Sequence, residues 1–124
     1  MELSIVIADD SALMRERLES MLLELDGVEI VGKTLNVIET LNTVEETTPD
    51  VVILDIKMIG GNGIDVLKTI RDHKIDSKVI IFTHFPYPQY KKACMEAGAD
   101  YFFHKATQFE ELIETIKALK KMKV

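Results

Sequence analysis

The chain has 124 residues, enough for one domain with a real core and without disulfide or metal staples. A net charge of -6, with no basic run interleaved with aromatics, argues against a reader of phosphate backbones, so no direct nucleic acid binding is expected. The single cysteine, Cys94, excludes an internal disulfide, and no basic-then-apolar leader or membrane-length apolar run is present, so the expectation is a cytoplasmic protein that does not enter a membrane.

Leu3 to Ala8 is rich in β-formers and predicts a strand, followed by Asp9-Asp10-Ser11 and then Met14, Leu18, Met21, Leu22 and Leu25 at helical spacing. Ser11 suits a helix N-cap, and Gly27 a helix stop. Val28 to Lys33 predicts a second strand, and Val37, Ile38, Leu41 and Val44 an amphipathic helix ending near Pro49. Val51-Val52-Ile53-Leu54-Asp55 is four apolar residues closed by a carboxylate, the pattern of a fully buried strand. A charge ending such a strand must sit at its carboxyl edge, where loops can supply partners. Gly60-Gly61-Asn62-Gly63 predicts a turn, and Ile64, Leu67 and Ile70 a helix ending near His73. Val79 to Phe82 predicts a fourth strand ending at Thr83. A helix entered through Pro86 and Pro88 follows, running through Ala93 and Cys94 to Gly98. Asp100 to Phe103 predicts the fifth strand, and Phe109, Leu112, Ile113, Ile116 and Leu119 line a last helix. Lys117, Lys120, Lys121 and Lys123 lie toward its C-terminus, where cations favour the helix dipole and solvation is the default.

Five alternations of strand and helix predict one α/β domain over residues 1–124, a doubly wound parallel sheet with helices on both faces. All strands of such a sheet end on one edge, so Asp9, Asp10, Asp55, Thr83 and Lys105 converge there. Taken singly, each has a plain reading: an acidic turn with a cap, a strand-end turn former, a strand threonine, a solvated lysine. Their joint fall at the ends of strands one, three, four and five argues for a site. Three neighbouring carboxylates repel one another unless a cation joins them, and hard oxygen ligands without a His or Cys set favour Mg2+, which commonly shares its shell with phosphate. Lys105 offers a compact charge and Thr83 a hydroxyl, both suited to a phosphoryl group, and Asp55 is the candidate nucleophile that would form an aspartyl phosphate.

Through Asp9-Asp10-Ser11, Leu54-Asp55-Ile56-Lys57-Met58 with its Gly-rich turn, Thr83, and Ala97-Gly98-Ala99-Asp100 leading to Lys105, the chain resembles the receiver domains of two-component response regulators over essentially its whole length. The resemblance implies a flavodoxin-like strand order 2-1-3-4-5. It implies a phosphorylation-dependent signalling switch, not an enzyme, that accepts a phosphoryl group on Asp55 from a sensor histidine kinase or phosphotransfer protein. It also implies Mg2+ held by Asp10, Asp55 and the main-chain carbonyl of Lys57, with Asp9 acting partly through water. Thr83 and Lys105 would contact phosphoryl oxygens, and Phe102 would turn inward as Thr83 moves. The output would be a downstream protein target or an appended domain, with possible homodimerisation through the fourth helix, fifth strand and fifth helix.

The chain departs from the family pattern at four places, one of which, Ile59 where proline is frequent, bears little on the chemistry. Phe102 stands where tyrosine is frequent, so a phenolic contact is absent. Ala106 follows Lys105 where proline is usual, which predicts a trans peptide or a strained loop. His84 occupies a usually small position beside Thr83; its ring is expected to narrow the path of hydrolytic water, with a partly exposed loop histidine as the plain alternative. Cys94 reads as a small core residue. Two rival functions remain. A phosphatase of the haloacid dehalogenase type needs a second acid two positions past its nucleophile, where Lys57 stands, and a flavodoxin-like mononucleotide binder needs a neutral loop where Asp9-Asp10 stands.

Overall fold

The computed structural model describes residues 2–123. Seven strands and five helices follow in the order β1 (Leu3–Ala8), α1 (Ala12–Leu23), β2 (Val28–Thr34), α2 (Val37–Thr47), β3 (Val51–Leu54), β4 (Lys57–Met58), β5 (Gly61–Asn62), α3 (Gly63–Asp72), β6 (Lys78–Thr83), α4 (Pro88–Glu96), β7 (Tyr101–His104) and α5 (Phe109–Met122). Five of the strands form one parallel sheet in the order β2-β1-β3-β6-β7, the expected 2-1-3-4-5 when only these strands are counted.

Strand alternation explains why helices cover both faces. Ile5, Ile7, Val51, Ile53, Ile80 and Phe82 point to one side, where Leu18, Leu22, Leu112, Ile116 and Leu119 of α1 and α5 close over them. Val6, Ala8, Val52, Leu54, Val79 and Ile81 point to the other, against Val44, Val66, Leu67, Ile70 and Cys94 of α2, α3 and α4. Central strands apolar on both faces are stable only as the middle layer of three.

Local boundaries differ from the sequence-based expectations where a long-range partner overrides a local signal. Ser11 caps α1 as expected, its hydroxyl accepting from Met14 N at 3.2 Å. The helix nevertheless stops at Leu23, and Gly27, at φ 77°, turns the chain into β2 instead. Ile38 is 73% exposed and does not belong to the buried face of α2. The four-residue turn at 60–63 is shorter: β4 and β5 pair antiparallel around it, Asn62 caps α3, and Gly63 already lies in the helix. A side chain at Gly63 would strike the Asp55 carbonyl oxygen at 2.0 Å, so this glycine answers a close approach and not a turn.

Pro88, not Pro86, occupies the first turn of α4, which ends at Glu96 ahead of Gly98. The last strand is Tyr101–His104, one residue later than expected, because Asp100 turns its carboxylate onto Val79 N (2.9 Å) and Arg71 Nη2 (3.0 Å). Lys123 is not simply solvated; its ammonium meets Asp50 Oδ2 at 2.6 Å. The Lys105–Ala106 peptide is trans. No described helix is long and apolar enough to cross a membrane.

Candidate functional site

Register brings the carboxyl ends of the strands level. Ala8 pairs with Leu54 and Leu54 with Ile81, so Asp9 and Asp55 leave the sheet side by side, with Asp55 N donating to Ala8 O at 3.1 Å. Thr83 pairs with His104, and Lys105 N donates to Thr83 O at 2.8 Å. The four buried polar groups expected to converge do so: Asp9, Asp55, Thr83 and Lys105 are all at most 7% exposed. Asp10 completes the acidic set from an exposed position, and one carboxylate oxygen from each of Asp9, Asp10 and Asp55 lies within 4.8 Å of the others.

Lys105 is the hub. Its ammonium donates to Asp55 Oδ2 at 2.8 Å and to Asp9 Oδ2, linking two acids that stand 46 residues apart in the chain (55 minus 9). The remaining oxygens are held by main chain: Ser11 N donates to Asp9 Oδ1 at 2.9 Å and Ile56 N to Asp55 Oδ1 at 2.8 Å. Burial pushes the Asp55 carboxyl above its ordinary value, and the repulsion of Asp9 adds to that; the hydrogen bond and charge of Lys105 only partly offset it. Burial opposes the Lys105 ammonium as well, but hydrogen bonds and charge from Asp55 and Asp9 outweigh it and raise its pKa. One ammonium thus serves a pocket with three carboxylates, which leaves the pocket short of positive charge.

Thr83 Oγ1 accepts from Phe85 N at 3.1 Å, which leaves its hydroxyl proton free to donate elsewhere. Phe102 lies half-buried on the α4 side of β7, packed against the Ile81 and Cys94 cluster. His84 is exposed at the rim, its ring 6.5 Å from that of His104 and nearly perpendicular to it. The Lys57 side chain leans over the Phe85 ring, 4.4 Å from its centroid.

Two residues of the site escaped sequence reasoning. Arg15 Nη1 donates to the Asp9 carbonyl at 2.6 Å and braces the acidic loop from α1. A cation near a helix N-terminus opposes the helix dipole, and that unfavourable placement was the available signal. Gly63, buried against the Asp55 carbonyl, had none beyond its place in a glycine-rich run.

The fold is thus a doubly wound α/β domain that gathers carboxylates, a lysine and a hydroxyl at the carboxyl edge of its sheet. Comparison with known proteins is specific. The family model of the response regulator receiver domain matches residues 5–117. The transcriptional regulatory protein YhcZ of Bacillus subtilis is 33% identical over 113 residues, 91% of this chain and 53% of that protein. A protein-glutamate methylesterase/protein-glutamine glutaminase of Clostridium acetobutylicum is 34% identical, over 90% of this chain and 33% of its own length. A solved DNA-binding response regulator of the LuxR family from Staphylococcus aureus superposes with a TM-score of 0.87 at 36% identity, covering 95% of this chain and 98% of that one.

The chain belongs to the response regulator receiver domain family, the phosphorylation-dependent signalling switches of two-component systems. Within it the domain is regulatory, and these matches support the switch and not a dehalogenase-type phosphatase. The chain spans about half of the length of the Bacillus relative and a third of the Clostridium one.

Proposed function

We propose that Asp55 is the phosphoacceptor, with Asp9, Asp10, Asp55 and the main-chain carbonyl of Lys57 holding Mg2+ beside it. The observation that carries this reading is the buried bridge from Lys105 to Asp9 and Asp55 in a pocket whose acids outnumber its cations. An all-oxygen donor set without His or Cys fits Mg2+, which when bound supplies positive charge to the acids and to phosphoryl oxygens. In the transfer an Asp55 oxygen attacks phosphorus, the P–O bond forms as the P–N bond of a kinase phosphohistidine breaks, and the departing imidazole takes up a proton. Lys105 then exchanges a carboxylate partner for a phosphoryl oxygen, and Thr83 donates its free hydroxyl proton to another. Phe102 turns further inward as Thr83 moves.

A sensor histidine kinase or phosphotransfer protein is the proposed donor, in a cytoplasmic setting that the lone thiol Cys94 suits. The proposed output is an appended domain or a separate protein target, reached through the face of α4, β7 and α5, which is also the proposed homodimer surface. Two of the relatives are named as a transcriptional regulatory protein and a methylesterase, which supports outputs of either kind.

Incubation with Mg2+ and acetyl phosphate tests the reading by intact mass. A single phosphoryl adduct is expected, absent from Asp55→Asn and absent under chelation; an adduct persisting on Asp55→Asn defeats it. The exposed His84 ring at the rim is proposed to shield the adduct from water. His84→Ala is expected to shorten the adduct's lifetime, and an unchanged dephosphorylation rate removes that role.

A further inference from the structure

Thr34, at the end of β2, and Thr40, in α2, are buried threonines with no part in the chemistry described above, 3% and 0% exposed. Their hydroxyl oxygens lie 2.7 Å apart. The Thr40 hydroxyl gives its one proton to the Asn36 carbonyl at 2.7 Å, so toward Thr34 it can only accept, and the Thr34 hydroxyl donates. The direction of both bonds is thereby fixed, running from Thr34 to Thr40 to the main chain of Asn36.

The pair ties down residues 34–37, and two stretches of the proposed metal site are fastened to that segment. On one side Thr34, paired with Ala8 in the register, accepts from Asp9 N through its carbonyl at 3.0 Å, where the Asp9-Asp10 loop begins. On the other, Asn36 bridges to Ile59 and Val37 N donates to Ile59 O at 3.1 Å, two residues beyond the Lys57 carbonyl. Mg2+ demands near-ideal octahedral geometry with oxygens at about 2.0–2.1 Å, so a shift of a few tenths of an ångström between these stretches weakens binding. We propose that Thr34 and Thr40 are positioning residues for Mg2+: their hydroxyl bond sets the spacing between the Asp9-Asp10 loop and the Lys57 carbonyl. This inference rests on the reading of Asp9, Asp10, Asp55 and that carbonyl as the ligand set. Neither hydroxyl bonds to a ligand side chain, and both act through the main chain.

Titration with Mg2+ alone, followed by the amide NMR shifts of Asp9 to Ser11, tests the pair in wild type, Thr34→Val, Thr40→Val, the double valine variant and Thr40→Ser. Each valine variant is expected to raise the Mg2+ dissociation constant by about tenfold, the low end of what partners outside a metal's ligand shell contribute. The double variant should show about the same tenfold and not its square, because either change breaks the same bond. Thr40→Ser, which keeps the hydroxyl, should stay within about twofold of wild type by the same reasoning. With both hydroxyls gone no buried donor lacks an acceptor, so the double variant carries the test where a single one fails to fold. Urea unfolding without metal isolates a merely structural role: valine variants that lose stability yet bind Mg2+ as tightly as wild type overturn the positioning role. If wild type binds no Mg2+, or Asp10→Asn binds it equally well, the ligand-set reading itself falls and the positioning role with it.

Discussion

Two aspartates flank the same strand, Asp50 just before β3 and Asp55 just after it, and the molecule treats them in opposite ways. At the amino end, partial burial pushes the Asp50 carboxyl up, but the bond from Lys123 and those from Ser4 N (2.8 Å) and Ser4 Oγ (3.1 Å) outweigh it and hold the carboxyl below its ordinary value. At the carboxyl end, burial prevails and Asp55 is held above, because the one ammonium it receives is shared with Asp9. Hydrogen-bond partners matched to one acid make a staple; too little positive charge for several acids makes a binding site. The same edge that holds Asp50 carries another satisfied cluster, in which Arg71 donates to Gly98 O, Ile75 O, Ser77 O and Asp100 Oδ2. Acids at the amino edge therefore have matched partners, whereas at the carboxyl edge three acids stand around one ammonium.

The strongest way to break this contrast is to remove the shared cation. Lys105→Met leaves two buried carboxylates facing each other and is expected to lower unfolding stability in urea by about 3–5 kcal/mol without metal. Mg2+ should recover more of that loss than it adds to wild type. The next effect belongs to the ion itself. Saturating wild type at about a hundredfold over its dissociation constant should stabilise it by about 2.7 kcal/mol, and Asp10→Asn should remove most of that gain while leaving metal-free stability near wild type, since Asp10 is exposed.

The smallest effect has the sharpest sign. Asp50 has a lowered pKa, so its contribution is present above its ordinary value of 3.8 and is lost as pH falls through the folded value; Asp50→Asn should cost about 1–2 kcal/mol at pH 7 and less in acid. Asp55 has a raised pKa, so its contribution is present below 3.8 and is lost as pH rises through the folded value. Asp55→Asn in the metal-free protein should therefore raise the urea midpoint at pH 7. If both variants move it the same way, the contrast between the two ends of β3 is wrong.

The sequence carried the identities of Asp9, Asp10, Asp55, Thr83 and Lys105 and the edge on which they meet, because each ends a hydrophobic strand whose pattern is local. Ser11 as a cap was equally legible, being a matter of neighbouring residues. The sharing of Lys105 between Asp9 and Asp55 was not, since its partners lie 96 and 50 positions away. Lys123 read as solvated surface until folding placed it against Asp50 across 73 positions.

Composition and hydrophobic period alone determined a five-stranded α/β layer with acids at one edge, because strand and helix faces are written at spacings of two and about 3.6 residues. Only the tertiary structure decided which acid is satisfied and which is short of charge, why Gly63 must have no side chain, and that Phe85 lies under Lys57. Each of these depends on burial and on partners from other elements, and electrostatic energy follows distance in space and not along the chain.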